Sequence, residues 1–526
     1  MKLEGLSIIG LGRGERSGQS FAAVNPATGD ELPAKFYRTP APEIERAAHL
    51  AAQAFASFSG WNGARRVALM RRIAELLEAN APAIVERANL ETALPVARLQ
   101  GELARTCFQL RFYGEAAATG LAVGARIDHA DLRRKPQPKP DVRSLLRPLG
   151  PVVVFGASNF PLAYSVAGGD TASALAAGCS VVVKAHPAHP GTSEIVGTLI
   201  QHAMHEHGAP DGVFSLLIDD GHEVGAALVR HPAVKAVGFT GSRRGGRALM
   251  DLSAARPEPI PVFAEMSSIN PIFILPNALQ QRRDELAAGL HASVTLGVGQ
   301  FCTNPGLVFV ERNGAAEALL QKLAALMTAT PPGTMLTAAI CSAYHTGVEI
   351  FSQTTGVRRV TGAKNGPEKA RADAALFAVD GNTFLNHRHL MDEVFGPATL
   401  VVECDSREQM LHAAHRLEGQ LTVTIHAVPR DFANYRDLLA ILETKAGRLI
   451  FNGFPTGVEV CHAMTHGGPF PATADGRSTS VGTRAIERFL RPVSYQNFPD
   501  VALPDELKES NPLNLWRLVD GKMGQH

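Results

Sequence analysis

The stretch that decides the fold runs from residue 151 to residue 255, where PVVVF (151–155), CSVVVKA (179–185), VFSLLI (213–218) and VKAVGFTG (234–241) follow one another. Each of these short runs precedes a segment whose apolar residues have helical spacing, such as TSEIVGTLIQHAMHEHG after the second run. Four strand–helix units in series predict a parallel, doubly wound α/β sheet with right-handed crossovers. Such sheets bind ligands at the carboxyl ends of their strands, so we expect the functional site there.

A second α/β series follows the first. Its strand candidates are IPVFAEM, PIFIL, LVFVER, ATLVVE and LTVTIH, and its helices begin near Asp284, Ala315 and Ser406. On the N-terminal side, residues 42–118 carry amphipathic patterns that predict a helical cap. Between residues 127 and 147 the chain becomes charged and proline-rich, with the run RRKPQPKPDVR, which is typical of an extended arm or edge strand.

The composition excludes several kinds of function. The chain of 526 residues has 51 Lys+Arg against 50 Asp+Glu, a net charge of +1, and no long block of one sign, so no nucleic-acid partner is expected. The longest weakly polar stretch, residues 172–183, is shorter than the roughly 20 residues that span a bilayer. The N-terminus lacks the basic and apolar regions of a secretory signal. We therefore expect a cytoplasmic protein that makes no use of a membrane.

The cysteines and histidines give no metal motif. The six cysteines form no C-x-x-C pair, which argues against a zinc knuckle and against a dense disulfide framework. His202, His205 and His207 cluster where a helix is predicted to end, and HAMHEHG is not H-E-x-x-H. Histidines there complement the helix dipole, so we expect no bound metal. Cys302, in GVGQFCTNPGLVFV, follows a run of small residues and precedes a strand, which suits a nucleophile.

Six motifs occur in an order and spacing that resemble the aldehyde dehydrogenase superfamily. They are GASNFPL, VVVKA, FTGS, FAEMSSINP, GQFC and DEVFGP, and the similarity extends from NPATGD (25–30) to about residue 499. The resemblance implies an α/β fold with a doubly wound cofactor domain, a second α/β catalytic domain and small oligomerisation strands. We expect a dinucleotide-binding domain with its helical cap in 1–126 and 148–263, a catalytic domain in 264–483, an oligomerisation arm in 127–147 and 484–500, and a C-terminal tail in 501–526.

The resemblance also implies a covalent mechanism. A thiolate adds to the aldehyde carbonyl and gives a thiohemiacetal, and Cys302 in GQFC matches this nucleophile. Asn159, before Phe-Pro, and the backbone N–H of Cys302 match the donors that stabilise the oxyanion. Hydride transfer leaves a thioester, and Glu265 in FAEMSSINP matches the base that activates the hydrolytic water. The apolar neighbours of this carboxylate, at the end of a predicted strand, support a functional role.

The resemblance further implies NAD or NADP as the cofactor. The matching positions are Lys184 for the adenosine ribose, Gly241 and Ser242 for the turn near the pyrophosphate, Glu393 for the nicotinamide ribose and Phe395 beside its ring. NAD-preferring relatives place a glutamate three residues after the lysine, where this chain has Pro187. That carboxylate would be the main group repelling the 2′-phosphate of NADP, and it is absent here. His186, Arg243 and Arg244 can donate hydrogen bonds to the phosphate. We therefore expect NADP to be accepted, with NAD as the alternative.

Departures from the family pattern indicate a subgroup. Ser158 precedes NFP in place of tryptophan, MSSI follows Glu265 in place of L-G-G-K, and the chain ends with LPDELKESNPLNLWRLVDG (503–521). This combination resembles enzymes that oxidise α-ketoglutaric semialdehyde (2,5-dioxopentanoate) to 2-oxoglutarate in bacterial sugar-acid and hydroxyproline breakdown.

A substrate with a distal carboxylate needs a cation in its tunnel. Arg105, on the helix before RFYGEAA, is the candidate, with Arg111 as the second choice and a solvated helix face as the alternative. The aromatic residues expected to contact the substrate are Phe160, Tyr164 and Phe301.

Other functions remain open at this point: a fatty or aliphatic aldehyde dehydrogenase, a CoA-acylating member, and a non-catalytic member of the fold. Glu265 favours hydrolysis, because transfer to a thiol has less need of a base. The complete set of Asn159, Glu265 and Cys302 disfavours a non-catalytic role. Residues 133–143 and 487–496 resemble the strands that pair between subunits in this family, so we expect a homodimer or homotetramer.

Overall fold

The computed structural model describes residues 2–16, 18–120, 122–361 and 370–525. Its first sheet has seven strands, and the five that lie between residues 152 and 265 are parallel. Helices cover both faces of such a sheet, which is why its strands read as continuous apolar runs. In spatial order the strands are β11 (Val262–Glu265), β10 (Ala236–Thr240), β7 (Val152–Phe155), β8 (Val181–Lys184), β9 (Phe214–Leu217), β1 (Ile8–Ile9) and β2 (Gly12–Arg13).

The predicted helical cap and the four crossover helices are present. The cap consists of α1 (Ala41–Phe58), α2 (Gly63–Ala79), α3 (Ala81–Thr92) and α4 (Val96–Ala118). The crossovers are α5 (Gly169–Ala177), α6 (Pro190–Glu206), α7 (Glu223–Arg230) and α8 (Arg243–Ala254). Because β7 is central and the chain winds from it in both directions, the doubly wound α/β prediction is confirmed.

The expectation that IPVFAEM opens the second α/β series is wrong. Residues Val262–Glu265 pair in parallel with β10 in the first sheet, with Glu265 opposite Thr240. One side of β10 pairs with β7, and the residues after α8 form backbone hydrogen bonds with the other side. These hydrogen bonds place the strand in the first sheet. Glu265 therefore ends the outermost strand of the first sheet.

The second sheet also has seven strands and carries the predicted strands from PIFIL onwards. In spatial order they are β15 (Arg358–Thr361), β17 (Ala375–Asp380), β18 (Ala398–Cys404), β13 (Leu307–Glu311), β12 (Ile272–Ile274), β19 (Gln420–His426) and β20 (Ala446–Phe451). All neighbours are parallel except β15, which runs antiparallel to β17. The accompanying helices are α9 (Pro276–Thr295), α10 (Gly314–Ala329), α11 (Ala338–Gln353), α12 (Gly381–Asn386), α13 (Arg407–Arg416) and α14 (Phe432–Glu443).

A third sheet is built from the predicted arm and the C-terminal residues. Its strands are, in order, β21 (Leu490–Gln496), β6 (Val142–Pro148), β5 (Arg126–Asp128), β22 (Arg517–Val519) and β23 (Lys522–Gly524). Residues 501–526 were expected to form a separate C-terminal tail. Their strands β22 and β23 instead belong to this sheet, because β22 pairs with β5. Two small antiparallel pairs complete the fold: β3 (Ser20–Val24) with β4 (Glu31–Tyr37), and β14 (Gly333–Thr334) with β16 (Arg371–Ala372).

The carboxyl end of β11 pairs with a segment that follows the second sheet in the chain. Glu265 forms a bridge with Thr473, and the Met266 N–H donates to the Ala472 carbonyl, so the segment after β20 returns to the first sheet. Among the described residues, no helix has the length and apolar character needed to cross a membrane. The expected α/β fold is confirmed, and its strand ends surround the residues considered next.

Candidate active site

Cys302 lies on a tight turn that only particular residues can form. Gly297, Val298 and Gly299 all have positive φ, at 57°, 58° and 65°. A Cβ on Gly299 would lie 2.2 Å from the backbone of Gly396, so glycine is required at this approach. Cys302 follows this turn. Among the cysteines, all of which lie in described parts of the chain, Cys302 is partly exposed, Cys461 is exposed and the other four are buried.

Buried amides hold this turn in place. Asn270 donates through Nδ2 to the carbonyls of Cys302 (2.8 Å) and Asn304 (3.0 Å). Asn159, 8 % exposed, donates through Nδ2 to the Gln300 carbonyl at 3.1 Å. The amide predicted to bind an oxyanion therefore lies beside the nucleophile turn. Asn270 belongs to the FAEMSSINP motif, but the sequence analysis gave it no role.

The structure brings Cys302 and Glu265 together with a third residue, His466. The sulfur of Cys302, a ring nitrogen of His466 and a carboxylate oxygen of Glu265 all lie within 4.8 Å of one another. His466 Nε2 is 3.6 Å from Cys302 Sγ and 3.0 Å from Glu265 Oε1, and Ser480 Oγ donates to Glu265 Oε2 at 2.8 Å. Both His466 and Glu265 are buried, with exposures of 0 % and 4 %. A thiol, an imidazole and a carboxylate in contact form a proton-transfer group.

The electrostatics of this group differ between its members. Burial raises the pKa of the Cys302 thiol well above its ordinary value, and the negative charge of Glu265 adds to the shift. Burial also acts to raise the pKa of Glu265, but the His466 charge and hydrogen bonds from His466, Ser480 and Cys302 bring it below its ordinary value. The resting group therefore contains a neutral thiol beside an ionised carboxylate.

His466 and Ser480 were missed in the sequence because they lie in a segment without helical or strand periodicity. The stretch HGGPFPATADGRSTS (466–480) is rich in glycine, proline and small polar residues. In the structure His466 and Ser480 are joined backbone to backbone, with the Ser480 N–H donating to the His466 carbonyl at 2.8 Å. A lone histidine before Gly-Gly-Pro was the available signal.

The predicted ribose site lies at the end of β8. Lys184 is buried and donates to the Asp219 carbonyl at 2.8 Å. Its other two N–H groups have no protein acceptor in the described parts of the chain, which leaves them for ribose hydroxyls. Burial, with His189 and Lys184 nearby, lowers the pKa of His186 well below its ordinary value. His186 Nδ1 accepts the Ala188 N–H at 3.2 Å, so the neutral ring carries its proton on Nε2.

The predicted phosphate turn lies where α8 begins. Ser242 is the N-cap and accepts the Gly245 N–H through Oγ at 3.1 Å. A Cβ on Gly241 would lie 2.7 Å from the Phe239 ring, so the turn has no room for a larger residue. The guanidinium of Arg243 forms an ion pair with Glu418 at 2.7 Å. Arg243 would have to open this pair before it could bind a phosphate.

Glu393 and Phe395 line a small cavity together with Phe301 and Asn304. Burial raises the pKa of Glu393 to about 7, and hydrogen bonds from the Ser267 hydroxyl and the Ser268 N–H act against this rise. The negative charge of Glu393 also raises the pKa of the Cys302 thiol. These contacts fit a carboxylate that accepts from a nicotinamide ribose beside the nucleophile, and Lys184, Gly241, Ser242 and Glu393 together fit a dinucleotide.

The predicted aromatic residues form one cluster. The Phe160 ring lies 5.2 Å from Tyr164 and 5.4 Å from Phe301. Arg105 joins the cluster, because its Nη2 donates to the Tyr164 hydroxyl at 3.2 Å and its Nη1 donates to the Val458 carbonyl. Arg111 lies elsewhere, in a surface ion pair with Glu78 at 2.6 Å.

Comparison with known proteins relates the whole sequence to one family. The profile of the aldehyde dehydrogenase family matches residues 14–491. The chain is 50% identical over 523 residues to "Alpha-ketoglutaric semialdehyde dehydrogenase 2" of Azospirillum brasilense, which covers 99% of this chain and 100% of that protein. It is 45% identical over 485 residues to "Alpha-ketoglutaric semialdehyde dehydrogenase" of Acinetobacter baylyi, with 92% of each chain covered.

A solved structure has the same fold. The gamma-glutamyl-gamma-aminobutyraldehyde dehydrogenase of Burkholderia cenocepacia superposes with a TM-score of 0.80 at 22% identity, over 94% of this chain and 97% of that chain. The family profile covers most of the sequence, and two relatives match it nearly from end to end. The chain therefore belongs to the aldehyde dehydrogenase family.

Proposed function

We propose that this protein oxidises α-ketoglutaric semialdehyde to 2-oxoglutarate with NAD(P) and water. The names of the two relatives, one matched over 99% and the other over 92% of this chain, support the substrate. The observation that carries the chemistry is the contact between Cys302, His466 and Glu265 beside the Asn159 amide. This arrangement supplies a nucleophile, a proton acceptor and an oxyanion donor in one place.

The first step is addition of Cys302 Sγ to the aldehyde carbon. Because burial raises the pKa of the thiol, it carries its proton until substrate arrives. As the carbon–sulfur bond forms, the thiol proton leaves Sγ through its contact with His466 and passes to solvent, so Glu265 is ionised when the hydrolytic water arrives. The carbonyl oxygen becomes an oxyanion that accepts from Asn159 Nδ2 and the Cys302 N–H. The product of this step is a thiohemiacetal.

The second half of the reaction is hydrolysis. When bound, NAD(P) supplies a nicotinamide ring that accepts the hydride from the thiohemiacetal carbon. The thioester that remains on Cys302 is cleaved by water, whose proton Glu265 accepts. Ser480 and His466 bind one carboxylate oxygen each, which fixes the direction of this base. A carboxylate so close to Sγ supports hydrolysis rather than acyl transfer to CoA.

Lys184, Gly241, Ser242, Glu393 and Phe395 would hold the cofactor, and NADP is the form we propose. Pro187 stands where a ribose-binding glutamate would repel a 2′-phosphate, and neutral His186 has an Nε2–H to donate. The acids nearby are already engaged: Asp219 accepts the Gly221 N–H at 3.0 Å, and Asp220 pairs with Arg38. Arg38 offsets the charge of Asp220, whereas the negative charge of Asp219 acts on Lys184.

A steady-state panel tests this function. The substrates are α-ketoglutaric semialdehyde, pentanal and decanal, each assayed with NADP and with NAD, in the presence and absence of CoA. We expect kcat/KM to be at least roughly tenfold higher for the semialdehyde than for pentanal, because a buried charge contact contributes about 1.5–3 kcal/mol. CoA should change neither the rate nor the product. A preference for decanal, or formation of an acyl-CoA, would overturn the proposal.

We infer that the chain forms a homodimer or a dimer of such dimers. The strand β21 is one edge of the third sheet, and β20 is an edge of the second sheet that exposes Leu449 (39 %) and Phe451 (57 %). The unpaired N–H and C=O groups of an exposed edge can pair with another chain. Sedimentation velocity at micromolar concentration should give a species of at least twice the chain mass of 56.0 kDa, and a 56.0 kDa species would contradict the inference.

A further inference from the structure

Helix α4 presents Arg98, Glu102 and Arg105 at a spacing of four and three residues, so they share one face. This face packs against the aromatic cluster of Phe160, Tyr164 and Phe301, which lies next to Asn159 and Cys302. The cations of this face are therefore the nearest candidates for binding the far end of a substrate. The following inference about them rests on the proposed function.

The guanidinium of Arg98 lies over two aromatic rings. Its Cζ is 4.9 Å from the centroid of Phe160 and 4.5 Å from that of Phe301. Nη2 donates to the Asn159 carbonyl at 2.8 Å. The side chain as a whole is 18 % exposed, yet Nη1 is buried and has no hydrogen-bond partner within the described residues. A buried N–H group without an acceptor is costly unless a ligand satisfies it.

The neighbouring charges leave Arg98 available. Glu102 accepts the N–H groups of Leu162 and Ala163 through Oε1 at 2.8 and 3.0 Å. Its Oε2 lies 4.0 Å from Arg98 Nη2, beyond hydrogen-bond distance, and has no hydrogen-bond partner within the described residues. Both terminal nitrogens of Arg105 already donate, to Val458 and to Tyr164. In the part of the chain that the structure describes, Arg98 keeps its terminal Nη1 without an acceptor, whereas the unpartnered nitrogen of Arg105 is Nε.

We propose that Arg98, rather than Arg105, binds the terminal carboxylate of the semialdehyde. Phe301 immediately precedes Cys302, so the ring on which the guanidinium lies belongs to the neighbour of the nucleophile. The rings exclude water from the contact, and a charge-assisted hydrogen bond is stronger where water is excluded. Arg105 then acts as a positioning residue, because it orients Tyr164 beside the Val458 carbonyl.

The test compares Arg98→Met with Arg98→Lys and with Arg111→Met. Methionine keeps the aliphatic stem on the rings and removes the charge, whereas Arg111 lies on the same helix but pairs with surface Glu78. With α-ketoglutaric semialdehyde, Arg98→Met should lower kcat/KM by roughly 10- to 100-fold, and with pentanal by less than about threefold. Arg98→Lys should recover part of the loss, and Arg111→Met should behave as the wild type.

Product inhibition provides a readout that does not depend on turnover of the charged substrate. 2-Oxoglutarate carries the same terminal carboxylate, so its Ki against pentanal oxidation should rise roughly tenfold in Arg98→Met. An unchanged Ki, or equal losses with both aldehydes, would overturn the assignment and leave Arg98 as a support for the Asn159 loop. A wild-type preference for pentanal would instead refute the proposed function, which separates the two failures.

Discussion

Replacing Cys302 with alanine should lower kcat by at least about four orders of magnitude with every aldehyde tested. Among the described residues, Cys302 is the cysteine that groups with Glu265 and His466. Of the others, Cys461 is exposed and Cys107, Cys179, Cys341 and Cys404 are buried. The loss should appear in the first turnover as well as in the steady state, because no thiohemiacetal can form. Stopped-flow absorbance of the reduced cofactor measures both.

The matched control is Cys461→Ala, which removes the exposed cysteine and should leave kcat within about twofold of the wild type. In this background iodoacetamide should inactivate the enzyme by reaction at Cys302 alone. Near-normal turnover by Cys302→Ala would refute the covalent mechanism. Inactivation through another cysteine in the control would also speak against the assignment.

Glu265→Gln should separate hydride transfer from hydrolysis. The amide keeps the shape of the side chain and its contacts with His466 and Ser480, but it cannot take a proton from water. We expect a burst of reduced cofactor close to the enzyme concentration, followed by a steady state roughly 10²- to 10⁴-fold slower than that of the wild type. Loss of the burst with intact cofactor binding would assign Glu265 to thiol activation instead.

His466→Gln is the companion variant, and its readout is a pH profile. The charge of His466 opposes the effect of burial on Glu265 and holds the pKa of that carboxyl below its ordinary value. Without His466 the pKa of Glu265 should rise, and the base will be protonated over more of the acidic range. The acidic limb of the kcat profile should therefore move to higher pH. An unmoved limb would show that His466 does not set the charge of Glu265.

The parts of the site that lie at strand ends could be predicted from the sequence. Lys184 ends β8, Gly241 follows β10 and Glu265 ends β11, and parallel strands bring their carboxyl ends to one edge of a sheet. The assignment of β11 to the wrong sheet did not affect this result. A short apolar run has the same sequence pattern whichever sheet it joins. The pairing with β10 is what assigns β11 to the first sheet.

The residues that the sequence did not reveal are those fixed by long-range contacts. His466 contacts Cys302 across 164 positions and Glu265 across 201, from a segment without a periodic pattern. Arg98 shares a helix face with Arg105, so helical periodicity could have identified it as a candidate. The choice between the two arginines depends on which of their N–H groups already have acceptors. Periodicity predicts the face of a helix, whereas hydrogen-bond occupancy follows from the folded chain.

The most direct test of the central claim is rapid-quench mass spectrometry of the Glu265→Gln enzyme mixed with α-ketoglutaric semialdehyde and NADP. Slow hydrolysis should let the thioester accumulate, so the peptide that contains Cys302 should carry the mass of the 2-oxoglutaryl group within the time of the burst. The account predicts this adduct on Cys302 and its absence when NADP is omitted. A burst without any adduct, or an adduct on another cysteine, would contradict it.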